Sequence, residues 1–365
     1  MILKGLTDDE KEWYLTLFLT LLVLTSMFAL TIPRLTILTL PEASYDAETK
    51  VVNLTEWTLK QKIGQMTMVL AKNDNGDFYK KLNVGGVFMG AKETSWGFIG
   101  NTKLYQTNFT VVPLFITTDL EGCTNPFEAF QQFPASKDIE TEDRAYELGL
   151  EHGSLLKKLG FNMNFAPVVD LEDNIWDCRA FPGTSEEIAR KSVAYVRGLN
   201  EHEILATVKH YPGKTMEVND PHTDQSFAEI NEDDLYPFEV NMKNNVDAVM
   251  LNHLVVSGVV NSGSKPTVVS ETITQNLRQQ YSGLIITDEI HMMGLKKFYS
   301  DKDQMFVDLF KANNDIVLNL NKEIEDIYQM ICAVEKAVKK GEISEERIDE
   351  SVTRILETKG IAVVY

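Results

Sequence analysis

The strongest constraint in this chain is a repeated pattern: short apolar runs alternate with amphipathic stretches, and five of the runs stop on a polar residue. The runs are Val84 to Met89, Pro113 to Asp119, Asn162 to Asp170, Ala206 to His210, Asp247 to His253, Gly283 to Asp288 and Asp315 to Leu320. Between them lie helical stretches with clear starts: Glu142 to Leu159, a Thr184/Glu187 capping box leading to Leu199, Ser270 to Gln280, Met305 to Asn313 and Ser344 to Lys359. This alternation is the signature of parallel strands covered by helices. The polar ends are Asp119, Asp170, the pair Lys209 and His210, His253, and Asp288. In a (β/α)8 barrel such ends ring one mouth, and catalytic groups come from several strands at once. An open doubly wound sheet gathers its ligand at a single switch point instead. We therefore expect an α/β fold, a TIM-type barrel forming a single catalytic domain. The pattern yields seven strands. Ile361 to Tyr365 is the candidate for an eighth, so an imperfect closure is allowed.

At 365 residues with 44% hydrophobic content, the chain can bury one large core. Its formal net charge of −19 excludes nucleic acid as partner, since a phosphate backbone is held by clustered Lys and Arg and no such cluster occurs. Cys123, Cys178 and Cys332 are far apart, with no CxxC pair and no even count, so neither a zinc site nor a disulfide framework is expected. Tyr14 to Ile32 is uncharged and long enough to cross a hydrocarbon core of roughly 30 Å as a helix. It reads as a membrane anchor rather than a cleaved signal, because the residues before it are not basic. The expected organisation is an anchor over residues 1–40, a tether over 41–57 and a barrel over 58–365, membrane-anchored with the barrel extracytoplasmic. Thr58 and Gln61 form a capping box, expected to start a helix through Met66 to Val69.

Two segments carry titratable groups in chemically suggestive positions. Lys209-His210-Tyr211-Pro212-Gly213 ends a strand in two basic donors, and the following loop holds Asp220-Pro221-His222. An Asp two residues from a His can set its tautomer and raise its basicity, which suits a group that must donate and then accept a proton. An exposed loop pair is the competing reading. Asp288 closes an apolar strand, where an ionised carboxylate is expensive unless partnered or used, so it is a candidate nucleophile. Glu289 follows directly, and neighbours on a strand face opposite sides, so only one of the two faces the mouth.

Taken together, Lys209 to Gly213, Asp220-x-His222 and Ile285-Ile286-Thr287-Asp288-Glu289-Ile290-His291-Met292-Met293-Gly294 resemble glycoside hydrolase family 3, in its β-N-acetylhexosaminidase branch. Further likeness runs through Lys62 to Met66, Thr118 to Gly122, Phe133-Pro134, Asn164 to Asp170, Arg179 to Phe181, Met250 to His253 and Ile343 to Asp349. The resemblance covers residues 58 to 360. It implies a retaining glycosidase with Asp288 as nucleophile, His222 with Asp220 as acid/base, and Asp119, Arg179, Lys209 and His210 holding sugar hydroxyls. It implies a carbohydrate substrate, no cofactor and no metal, and a monomer is expected. A β-glucosidase-type member, a metal hydrolase using His210, His222 and His253, and a membrane-tethered sugar-binding protein are the rival readings. Two departures stand out: Lys214-Thr215-Met216-Glu217 replaces the usual His-Gly-Asp-Thr, and Cys123-Thr124 replaces the Gly-Arg after Glu121-Gly122.

Overall fold

The computed structural model describes residues 7–215 and 225–365, leaving aside the side chains of 8–11 and 21–31. Eight parallel strands form the core: β1 Thr67–Leu70, β2 Gly86–Phe88, β3 Phe115–Thr117, β4 Met163–Asn164, β5 Leu205–Tyr211, β6 Ala248–Leu251, β7 Leu284–Thr287 and β8 Val317–Asn319. They pair as two four-stranded parallel sheets, β8-β1-β2-β3 and β4-β5-β6-β7. A few backbone hydrogen bonds span each seam. Phe165 N donates to Thr118 O at 3.0 Å between β3 and β4, and Thr287 N donates to Ile316 O at 3.0 Å between β7 and β8. The expected barrel is therefore present, with continuous ladders in each half and thinner pairing at the two joins. Strands β6 and β7 are buried along their whole length, as parallel strands covered on both faces must be.

All seven expected strands form. The eighth is β1, which lies in the stretch read as helical. The Thr58/Gln61 capping box is real, but its helix stops at Gln65 and the apolar Thr67–Leu70 becomes a strand between β8 and β2. Ile361 to Tyr365 does not close the ring: Ala362–Val364 pairs in parallel with Val51–Asn53, outside the ring. The stretch read as a tether is packed rather than loose. Ala43, Val52, Leu54 and Trp57 are buried, and Trp57 Nε1 donates to Ser44 O at 2.8 Å.

The N-terminal helix Asp8–Leu38 covers the segment read as an anchor. Its last turns dock on the barrel through buried Ile37 and an Arg34–Glu325 ion pair at 2.6 Å. Among the described residues no helix is long and apolar enough to cross a membrane, and the side chains of 21–31, the middle of the segment read as an anchor, lie outside those described. A second expectation is corrected outright. Cys123 and Cys178 form a disulfide, leaving Cys332 as the free cysteine. Odd count and sequence distance hid it, because the two loops that carry these residues meet only once the barrel folds.

Two helices following β3 and β4, Glu142–Leu159 and Ser185–Asn200, pack in close contact at glycines. A Cβ added at Gly149 would lie 2.2 Å from Tyr195 O and 3.0 Å from Gly198 Cα. Gly149→Val should therefore destabilise the fold by about 1–3 kcal/mol through overpacking. Urea unfolding of the variant checks this; an unchanged midpoint would mean the helices separate freely.

Candidate active site

The C-terminal ends of the strands open into a cavity of ≈ 570 Å³. Asp119, Arg179, Lys209, His210 and Asp288 all line it, so five of the seven expected site residues converge. Asp220 and His222 lie outside the described residues.

A carboxylate given no role at the outset organises the basic side of the cavity. Glu121 is almost fully buried and accepts two hydrogen bonds from Arg179, through Nε and through Nη2, the latter at 2.8 Å. Its Oε1 also takes Lys209 Nζ at 2.5 Å, while the same ammonium reaches Asp119 Oδ1 at 2.6 Å. Burial alone would raise the Glu121 pKa, but the adjacent guanidinium and ammonium outweigh it and hold the carboxyl well below the ordinary range. Asp119 goes the other way: burial pushes it up, and Lys209 only partly offsets that. Lys209 is raised; burial works against its charge, and Asp119 with Glu121 prevails. The signal for Glu121 was its place two residues past Asp119, which in an extended chain puts both acids on one side.

Two loops carry this cluster, and each is tied internally. After β3, Glu121 N donates to Thr124 O at 2.9 Å across a turn in which Gly122 has φ +91°. A side chain at Gly122 would meet Pro134 O at 2.4 Å, so glycine is required there. After β4, Asp173 accepts from the amides of Trp176, Cys178 and Arg179 at 2.9, 3.0 and 2.7 Å, which curls the loop and aims Arg179 inward. The Arg179 guanidinium stands 4.7 Å from the Trp176 ring.

His210, next to last in β5, stands against Asp170. The ring Nδ1 and the backbone N both donate to Asp170 Oδ2 at 3.1 Å, and Asp170 Oδ1 accepts from Thr215 N at 2.7 Å. Buried Asn252 donates to the carbonyls of His210 and Gly213 and, at 2.9 Å, to Thr215 Oγ1. Thr215 stands at one of the departures from the family pattern, and the root of that loop is nevertheless firmly held.

Asp288 sits just past β7, with its own N–H donating to Leu251 O at 3.0 Å and its Oδ1 accepting from Glu289 N at 2.7 Å. Burial would raise its pKa, but the His253 and His210 rings, the Glu289 amide and Lys209 together hold it below the ordinary range. Glu289 is used differently. Its carboxylate accepts from His291 N at 2.9 Å and Leu320 N at 3.4 Å, tying loops together, and burial raises its pKa. His253 Nε2 donates to the Glu289 carbonyl at 2.8 Å. Among the described residues no group of three or more His, Cys, Asp or Glu is arranged to hold a metal ion.

Removing Glu121 leaves two buried cations short of a counter-charge. Glu121→Gln should cost about 3–5 kcal/mol of stability near neutral pH. The sign with pH follows from the depressed folded pKa. The stabilisation is present above the unfolded carboxylate value, about 4.3, and is lost as pH falls through the lower folded value. Denaturant unfolding at pH 7 and pH 3 checks it; an equal wild-type and variant stability at pH 7 would sink the assignment.

Three comparisons bear on this arrangement. Residues 58–358 match the glycosyl hydrolase family 3 N-terminal domain. The chain is 27% identical over 294 residues to beta-hexosaminidase A of Pseudoalteromonas piscicida, covering 70% of this chain and 48% of that protein. It is 23% identical over 326 residues to beta-hexosaminidase LpqI of Mycobacterium tuberculosis, covering 82% of each. Among solved structures, a family 3 beta-N-acetylglucosaminidase from Paenibacillus superposes with a TM-score of 0.75 at 29% identity, covering 83% of this chain and 62% of that one. The chain thus spans about half of one curated relative and most of another.

Proposed function

Because the chain belongs to glycosyl hydrolase family 3, we propose that its cavity is the active site of a retaining β-N-acetylhexosaminidase that removes terminal β-linked N-acetylglucosamine. The observation that supports this most is the convergence of Asp119, Arg179, Lys209 and His210 on one cavity with Asp288, a carboxylate kept ionised at the end of β7. The four polar groups suit a hydroxyl-rich ring, and the ionised acid suits attack on its anomeric carbon. Asp288 displaces the leaving oxygen through an oxocarbenium-like transition state, forming a glycosyl ester, while His222 donates the proton that oxygen needs. Water then attacks the anomeric carbon of the ester, His222 takes its proton, and the bond to Asp288 breaks, freeing the carboxylate. Asp220 orients and charges the imidazole. The chemistry calls on no cofactor.

We place the anchor in residues 1–40, the tether, packed along the barrel rather than free, in 41–57, and the catalytic barrel in 58–365, acting as a monomer outside the cytoplasm. The disulfide supports an oxidising compartment. The exposed Trp13, Tyr14, Leu15 and Phe18 of the N-terminal helix support attachment to a membrane. Removal of residues 1–32, which spares the docked Arg34 and Ile37, should shift the protein from the membrane to the soluble fraction, and a full-length chain already soluble without detergent would rule attachment out.

An aryl N-acetyl-β-glucosaminide should be turned over by the wild type. Asp288→Asn should keep the fold and lose activity by about 10³-fold or more, since an amide cannot form the ester. Near-normal activity in that variant, with loss in Glu289→Gln, would move the nucleophile by one residue.

His222→Ala should slow substrates with poor leaving groups by about 10²–10⁴-fold while sparing activated aryl glycosides in the first step. Azide should then restore turnover of the activated substrate, because it attacks the ester without needing a base. Asp220→Ala should show a weaker form of the same pattern. Equal losses on both substrates without azide rescue would assign this loop a structural role.

A further inference from the structure

We propose that the Cys123–Cys178 disulfide positions the sugar-binding clamp, so that breaking it weakens substrate binding while leaving the chemical step largely intact. Cys123 lies two residues past Glu121, and Cys178 immediately precedes Arg179, so the crosslink runs beside the ion pair that joins the same two loops. Each loop is a compact unit. One is closed by the Glu121 N to Thr124 O bond, with Ser136 Oγ donating to Glu121 O at 2.8 Å; the other is curled around the Asp173 carboxylate. Two such bodies joined at one point can pivot about it in any direction, whereas a second joint leaves only rotation about the line between the two. The buried ion pair is the first point and the disulfide is the second; the other links between the loops, Lys137 N donating to Cys178 O at 3.4 Å and the exposed Lys137–Asp177 pair at 2.9 Å, lie at the solvent rim and hold less firmly.

The arrangement also accounts for a departure from the family pattern. Where the family pattern continues Glu-Gly with Gly-Arg, this chain has Cys123-Thr124, and Cys123 is the residue that carries the covalent link. Preorganisation of this kind shows in binding because a loose clamp must be ordered each time substrate enters. Asp288 hangs from β7 and β6, elements the crosslink does not touch, so turnover of bound substrate is spared. Cys123 and Cys178 are thus positioning residues that act through Glu121 and Arg179.

The inference rests on the glycosidase reading, and one experiment separates the two. Full-length protein is assayed on an aryl N-acetyl-β-glucosaminide before and after treatment with dithiothreitol, a dithiol that passes two electrons and two protons to the disulfide and is itself oxidised to a cyclic disulfide. Thiol titration should rise from one free cysteine to three, KM should rise about tenfold, and kcat should stay within about threefold. A Cys123→Ser/Cys178→Ser variant should reproduce the raised KM without reductant, and Cys332→Ser should respond to reductant as the wild type does. An unchanged KM at three free thiols, or a fall in kcat with KM constant, overturns the proposal. If the reduced protein unfolds at the assay temperature, the double variant is read in its place, and its unfolding too would assign the disulfide to stability alone. An oxidised protein without turnover sinks the glycosidase reading only. The clamp is then read from N-acetylglucosamine affinity by calorimetry before and after reduction, where equal affinities overturn it.

Discussion

One carboxylate governs the mouth of this barrel. Glu121 is nearly inaccessible to solvent, yet it carries a charge because Arg179 grips it with two nitrogens and Lys209 takes a third contact. Any member of this group alone would be costly to bury, and together they are mutually compensated. The consequence reaches substrate. Arg179 and Lys209 cannot swing toward solvent without abandoning a buried anion, so both present their remaining donors from fixed positions. Asp119, drawn in through the same ammonium, adds an acceptor on the same side. A hydroxyl-rich ligand meets donors and acceptors already in place, with little ordering left to do.

A second carboxylate, in the loop after β4, plays the parallel role at the end of β5. Asp170 holds the His210 ring and backbone and also the amide of Thr215, and Asn252 clasps the intervening turn through two carbonyls and the Thr215 hydroxyl. One buried hub therefore serves both a ring that faces the cavity and the first residue of the segment leading to His222. Rearrangement of either would be felt by the other. The altered Lys214-Thr215 sequence keeps this joint, since Thr215 bonds through its backbone amide and a hydroxyl, and neither contact needs the residues usual in the family.

Much of the fold was legible because its determinants are local. Capping boxes at Thr58, Thr184 and their helices, the apolar runs of β2 to β8, and the polar strand ends all lie within a few residues of one another. The first strand was missed for the same reason. Thr67–Leu70 continues an apolar stretch straight out of a capped helix, and only its pairing with β8 and β2 distinguishes it from another helical turn. In the cavity, Asp119, Arg179, Lys209, His210 and Asp288 were readable from motifs. Glu121, Asn252 and the disulfide were not given their roles, because those roles consist of contacts between loops and strands far apart in sequence.

The pairing of β1 with β8 sets an order of events during synthesis. The first strand of the ring to leave the ribosome finds its neighbour β2 at once, but its other edge stays open until β8, near the end of the chain, is made. Within that interval Glu121, Arg179 and Lys209 emerge well before the strand bearing Asp288. A half-ring with an exposed parallel edge and an unsealed cluster of charges is vulnerable to association. The crosslink between Cys123 and Cys178 needs only β3, β4 and their loops, so it can form in this half-made state. It would then secure the charged half of the mouth before Asp288 arrives.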